Sequence, residues 1–343
     1  MVASPSHADD GFESKIEPLY PAGNVTVVCK NGPPDTWRTW LVSSHILSIV
    51  SPKFAALFRF MVREDHQGLI SPSSCLSLNG EDPLLLGLLF EVLHFRQPQK
   101  DVQMNLKKIA QLAVLCDKYS CCSALRPWSS HWLGHAPAPE TPEEYGYALL
   151  ASHLYENEQY LATVSAHAVR NLRLESVSAW SDDEILRYLP QAVYNDLKMK
   201  MTAAMDRLRC DVDYVVDFHQ RFENVYLLGG LMCLICGRTH PDSARECHAC
   251  RNQDLYAKIC TPAYRIGEYL IALKAAALWP PSEVSRTCSV MEFAARVGSV
   301  KSSLKHRCGA GKLCPLELGV ELLNVKVQRT VASIMGCVLN DPS

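Results

Sequence analysis

Apolar and polar residues alternate where the first regular element begins: Val25, Val27 and Cys29 fall on one side of an extended run, Thr26 and Val28 on the other. That two-residue period predicts a half-buried strand. Asn31-Gly32-Pro33-Pro34-Asp35 supplies turn residues, and Trp37 to Val42 returns as a second strand, so the pair predicts a hairpin. A short helix follows, with Ile46, Leu47 and Val50 facing inward. Ser51-Pro52 ends it and starts the next, since serine caps a helix and proline fits its first turn. Phe54, Leu57 and Phe58 lie three or four apart, the spacing of one buried helical face. Met61 to Ser74 reads as a loop, Cys75 to Leu78 as a strand and Asn79-Gly80 as a turn. Asp82-Pro83 offers an N-cap and a first helical residue, after which Leu85, Leu88, Leu89 and Val92 keep helical spacing. Gln97-Pro98 breaks that helix. Leu106, Ile109, Ala110 and Ala113 repeat the spacing in the next, which ends at Asp117; Tyr119 to Leu133 makes another, kinked or split at Pro127.

Gly134 to Pro142 is rich in glycine and proline and marks a linker. Beyond it the pattern is helical: Tyr147, Leu150, Ala151 and Leu154 form one stripe, Val164, Ala168, Val169 and Leu172 another. Ser181-Asp182-Asp183-Glu184 predicts a helix start, with acidic groups at the positive end. After Pro190, a long helix carries Val193, Leu197, Met201, Ala204 and Leu208 on one side. The stripe spans fewer than three heptads, which favours core packing over a partner-helix seam.

With 343 residues the chain is long enough for two domains that each bury a core. The expected organisation is a polar, disordered leader over 1–19, an α/β (α+β) domain over 20–134, a helical continuation over 143–225 and a Cys-rich, mostly helical region over 226–343. A net charge of -2 leaves no global basic field to recruit nucleic acid or anionic lipid. Met1 to Glu17 lacks an apolar segment of the secretory kind, and no apolar run reaches membrane-spanning length. The expectation is therefore a soluble intracellular protein, cytoplasmic or nuclear. In a reducing compartment its 15 cysteines are core thiols or metal ligands rather than disulfides.

Cys233-Leu234-Ile235-Cys236 and Cys247-His248-Ala249-Cys250 give two CxxC pairs, with Gly237, Pro241 and Asp242 as turn residues between them. Two such knuckles can each offer two thiolates and complete a tetrahedron around Zn²⁺, a closed structural site. His306, Cys308 and Cys314 form a later cluster that could replace one knuckle; His240 and His248 are lesser substitutes. Zinc would staple a segment with little apolar surface of its own.

The order hairpin, short helix ending in Leu47, then Ser51-Pro52 and Phe54 resembles the BTB/POZ domain. Cys116-Asp117-Lys118-Tyr119-Ser120-Cys121 is similar to the family's penultimate helix and its Asp-Lys-Tyr corner, and Ala124-Leu125-Arg126-Pro127-Trp128 with Trp132 to the version abundant in filamentous fungi. Two positions depart from the pattern: Asn24 stands where Asp is usual and Ser43 where His is usual. The resemblance implies a small sheet beside a helical cluster that binds other proteins. It implies a homodimeric scaffold or, alternatively, an adaptor that contacts a cullin-type ubiquitin ligase through Phe54, Leu57 and Phe58 and through the helices near Leu112 and Tyr119.

No phosphate-cradling glycine loop or dinucleotide fingerprint is present, and no Cys/His pair carries a nucleophile signature. A redox dithiol would need a helix after Leu227–Leu231, where Gly229-Gly230 stands. The ligand order of a helix-presenting DNA-binding finger is missing. Lys301, Lys305, Arg307 and Lys312 leave a transcription regulator as a further alternative, but nucleic acid is not the expected partner. No residue is assigned to catalysis.

Overall fold

The computed structural model describes residues 16–31, 33, 36–64, 74–96 and 104–339. Most of the expected leader, part of the Asn31–Asp35 turn, residues 65–73 and the Gln97-Pro98 break lie outside the described residues. The chain divides into two compact units. The first runs to Leu161 and includes Asp182–Pro190 and the end from Val338; the second comprises Ala162–Ser181 and Gln191–Cys337.

The first unit holds β1 (Ile16–Pro18), β2 (Val25–Lys30), β3 (Arg38–Val42), α1 (Ser44–Val50), α2 (Pro52–Glu64), β4 (Cys75–Asn79), α3 (Pro83–Leu93), α4 (Leu106–Lys118), α5 (Cys122–His135) and α6 (Pro142–Leu154). The fold is α+β. Its mixed sheet has the order β1-β3-β2-β4; β2 and β3 form the antiparallel hairpin, while β1 joins β3 and β4 joins β2 in parallel. Val25, Val27 and Cys29 are fully buried and Thr26 and Val28 half-buried, as the alternation requires. Helix α3 is interior on nearly every side, burying Leu85, Leu86, Leu88, Leu89, Phe90, Val92 and Leu93. Gly87 leaves room for the Trp40 indole, which a Cβ there would approach to 3.3 Å.

Several boundaries differ from the sequence reading. Helix α2 continues through Met61 to Glu64, because no glycine or proline interrupts it there. In α1, Leu47 is buried while Ile46 and Val50 are only half-buried, a consequence of the helix packing on one side alone. Tyr119 caps α4 rather than opening α5, since Ser120 takes a left-handed φ of 51° and turns the chain. Pro127 lies inside α5 without ending it. A capping box between Thr141 and Glu144 starts α6, which packs on α4. The Ser181–Glu184 stretch gives single 3-10 turns, Ala179–Asp182 and Leu186–Tyr188, in place of an α-helix. The Asp183 carboxylate accepts from the Ile185 and Leu186 amides and, at 2.6 Å, from the Tyr147 hydroxyl.

The second unit contains most of α7 (Glu158–Asn171), then α8 (Leu174–Ser178), α9 (Gln191–Arg221), β5 (Tyr226–Cys233), β6 (Thr239–His240), β7 (Leu255–Cys260), α10 (Pro262–Ala275), α11 (Pro281–Thr287), α12 (Val290–Ser303) and α13 (Pro315–Ala332). The α9 stripe is longer than expected: Val193, Leu197, Met201, Ala204 and Leu208 continue through Val212, Val215 and His219. It packs on α10, α11, α12 and α13 of the same unit, so the seam is filled by the chain's own helices. Strands β6, β5 and β7 form an antiparallel ribbon in that order, with a bulge between Leu227 and Leu231 where Gly229 and Gly230 take positive φ. Among the described residues no helix is long and apolar enough to cross a membrane.

Candidate metal centres

The ribbon places the two CxxC pairs. Cys233 ends β5, and Cys236 lies in the turn that leads to β6; Cys247 and Cys250 lie in the loop between β6 and β7. Each pair adopts the same backbone turn. The Cys233 amide donates to the Arg238 carbonyl at 3.0 Å and the Cys247 amide to that of Asn252 at 2.8 Å. The Gly237 and Arg251 amides close the turns on the Cys233 and Cys247 carbonyls, at 2.8 and 2.7 Å. Both closing residues take the left-handed conformation, with φ of 68° and 56°. Gly237 adopts it freely; Arg251 does so against the usual preference of an L side chain.

The four sulfurs converge. Cys233 Sγ is 3.4 Å from Cys250 Sγ, Cys236 Sγ is 3.3 Å from Cys247 Sγ, and Cys250 and Cys236 are 3.7 Å apart. A tetrahedral Zn²⁺ with bonds of about 2.3 Å sets its sulfurs a little under 4 Å apart, so the cage has the right size. Backbone amides point at the sulfurs. The Cys236 amide, then the Cys250 thiol, the Ile235 amide and the Asn252 side chain, hold Cys233 down at about 6 against its burial. At Cys247 burial raises the thiol, but the amides of Cys250 and Ala249 outweigh it and leave the group lowered. At Cys250 the Asn252 amide is overcome by the Cys233 sulfur, by burial and by the sulfurs of Cys247 and Cys236, which together push it up to about 12. Cys236 is raised despite the Arg238 amide, through Cys247 and Cys233. Four thiols this close resist joint ionisation, and a divalent cation among them reverses that resistance.

The later cysteines do not join this cage. Cys260, His306, Cys308 and Cys314 form a second group whose ligand atoms all lie within 4.8 Å of one another, as do those of the first. His306 Nε2 is 3.5 Å from Cys260 Sγ and 3.3 Å from Cys314 Sγ. Burial pushes Cys314 up to about 12, raises Cys260 and lowers His306, which favours the neutral imidazole. His240 and His248 stack edge to face with centroids 5.6 Å apart and belong to neither group. Cys260 carried no local spacing to single it out: it stands alone at the end of β7. The only signal was that His306, Cys308 and Cys314 make three donors in want of a fourth.

The five side chains expected to meet a partner face the first unit's own interior. Phe54, Phe58, Leu112 and Tyr119 are buried and Leu57 half-buried. The Phe54 and Tyr119 rings stack with centroids 4.7 Å apart, and the Phe54 and Phe58 rings at 6.2 Å, so these faces are already covered. Phe60 on α2, and Ile49 on the preceding α1, are exposed instead. In the basic group, Lys301 pairs with Glu321 at 2.7 Å.

The chain matches no family model and no curated protein.

Proposed function

We propose that the first unit is a BTB/POZ-type interaction module and that the protein is a non-enzymatic scaffold that associates with a second copy of itself. The meeting of two sequence-distant motifs carries this reading. Ser51 Oγ donates to the Tyr119 carbonyl at 2.5 Å and accepts from the Phe54 amide at 2.9 Å. Lys53 Nζ donates to the Lys118 carbonyl, and Tyr119 Oη donates to Glu81 at 2.8 Å, beside the Lys118–Glu81 ion pair. The Ser-Pro-x-Phe and Asp-Lys-Tyr segments, the residues on which the resemblance rests, thus form one interlocked corner. The hairpin beside a helical cluster is of the expected kind, and the departures are accommodated: Asn24 Oδ1 accepts the Ser44 amide at 2.9 Å, and the Ser43 amide donates to His94 Nε2 at 3.0 Å.

The partner surface then lies on the outward sides of α1 and α2, which carry Ile49 and Phe60. Zinc is the proposed occupant of the Cys233, Cys236, Cys247 and Cys250 cage, as a structural ion. Light scattering of the full chain tests association: a dimer that Ile49→Glu or Phe60→Glu converts to a folded monomer supports the reading, and a monomeric wild type removes it. Capture of a cullin scaffold by that monomer, lost in Phe60→Glu, would establish the adaptor role instead.

A further inference from the structure

We propose that the second unit binds a second zinc ion, held by Cys260, His306, Cys308 and Cys314 independently of the CxxC cage. Three observations converge on it. The donor set is complete: three sulfurs and one imidazole nitrogen, mutually within 4.8 Å, match the four-coordinate Cys₃His type of structural site and leave no position open for a substrate. The imidazole is aimed correctly. One ring atom, Nε2, approaches both Cys260 and Cys314, so a single centre can be shared by all of them.

The third observation is a buried charge. Arg265, in the first turn of α10, is fully buried and donates to the carbonyls of Asn224, Cys260 and Phe222 and, at 3.8 Å, to Cys260 Sγ. No carboxylate among the described residues pairs with it. A guanidinium cannot shed its proton, and burying it without a counter-charge is strongly unfavourable. Zn²⁺ with three thiolates and a neutral imidazole carries one net negative charge, placed against that guanidinium. Binding releases the three thiol protons to solvent, and the zinc–sulfur and zinc–nitrogen bonds form without any redox change.

The two centres differ in what they tie together. The first joins turns within residues 233–250 of one ribbon. The second links the end of β7 to the segment between α12 and α13, from residue 260 to residue 314. It is also the drier one: Cys260, His306 and Cys314 are buried and Cys308 half-buried, whereas Cys236 and Cys250 of the first are exposed.

The test is metal counting on the full chain, expressed with zinc and analysed by elemental mass spectrometry and X-ray absorption. The expected result is two zinc ions per chain, with seven sulfurs and one nitrogen shared between them. Cys233→Ser/Cys236→Ser should retain one ion, and Co²⁺ exchanged into it should show the weaker thiolate charge-transfer of a three-sulfur, one-nitrogen site. Cys260→Ser/Cys314→Ser should retain one ion with a four-sulfur spectrum. If either variant does not fold, Co²⁺ titration of the wild-type chain decides, through two spectrally distinct endpoints. A single zinc with four sulfurs, unchanged in Cys260→Ser/Cys314→Ser, would overturn the second site and leave the first standing; a single zinc with one nitrogen would do the reverse to the first.

Discussion

Gly319 in α13 stands where a Cβ would lie 2.6 Å from Cε1 of the buried His219 ring in α9. The absence of a side chain is what lets these two helices close on each other. Gly319→Ala must displace that fully buried ring, at a cost of about 1–3 kcal/mol. Gly298, an exposed residue of α12 with nothing near its Cβ position, is the control. Gly298→Ala should stabilise by about 0.5–1 kcal/mol, as alanine does in a helix interior. Thermal denaturation of the two variants should shift in opposite directions.

His219 also titrates abnormally. Burial, with a smaller contribution from the Arg265 charge, lowers it to about 4. The unfolded chain therefore takes up a proton near pH 6.5 that the folded chain refuses until about pH 4. Stability from this group is fully present above pH 6.5 and falls on acidification by about 1.4 kcal/mol per unit within that window. The urea midpoint of His219→Asn should depend less on pH between 7 and 4 than that of the wild type, and the difference between the two chains isolates this ring from every other titrating group.

Phe54 is a core residue, fully buried against Tyr119, Phe58 and Phe90. Phe54→Ala should cost about 3–5 kcal/mol, and Phe54→Glu should prevent the first unit from folding. Loss of partner binding in Phe54→Glu would then report unfolding, whereas Ile49→Glu should keep the wild-type melting temperature within a few degrees. Circular dichroism of both variants distinguishes the cases.

On the proposed zinc occupancy, chelation should act on the second unit first. Its ribbon leaves Leu227, Tyr256 and Ile259 exposed and carries little apolar burial of its own. Removing metal should therefore melt β5–β7, seen as loss of amide-exchange protection from Tyr226 to Cys260, while α1 to α5 stay protected. Gly237→Val should mimic this in part, since valine resists the left-handed φ that closes the first knuckle.

Much of this was legible in the chain because the signals were local. The Val25, Val27 and Cys29 alternation fixes which side of β2 is inside, and the paired CxxC spacing brings all four sulfurs of the first cage into one short segment. The Phe54, Leu57 and Phe58 spacing marked a covered face but not what covers it; periodicity is the same whether the cover is the chain itself or a partner. Cys260 was illegible for a different reason. Its companions come from residues 306–314, and only the tertiary fold puts them beside β7. Arg265 looks like any helical arginine until the carbonyls and sulfur around it are seen.

The separation between Cys260 and Cys314 has a consequence for biosynthesis. A ribosome making this chain delivers residues 233–250 together, so the first cage can close while the C-terminal helices are still untranslated. In the proposed second centre, Cys260 waits for its companions until His306, Cys308 and Cys314 have emerged. With both proposed centres filled in the finished protein, nascent chains stalled between those points should hold half its zinc.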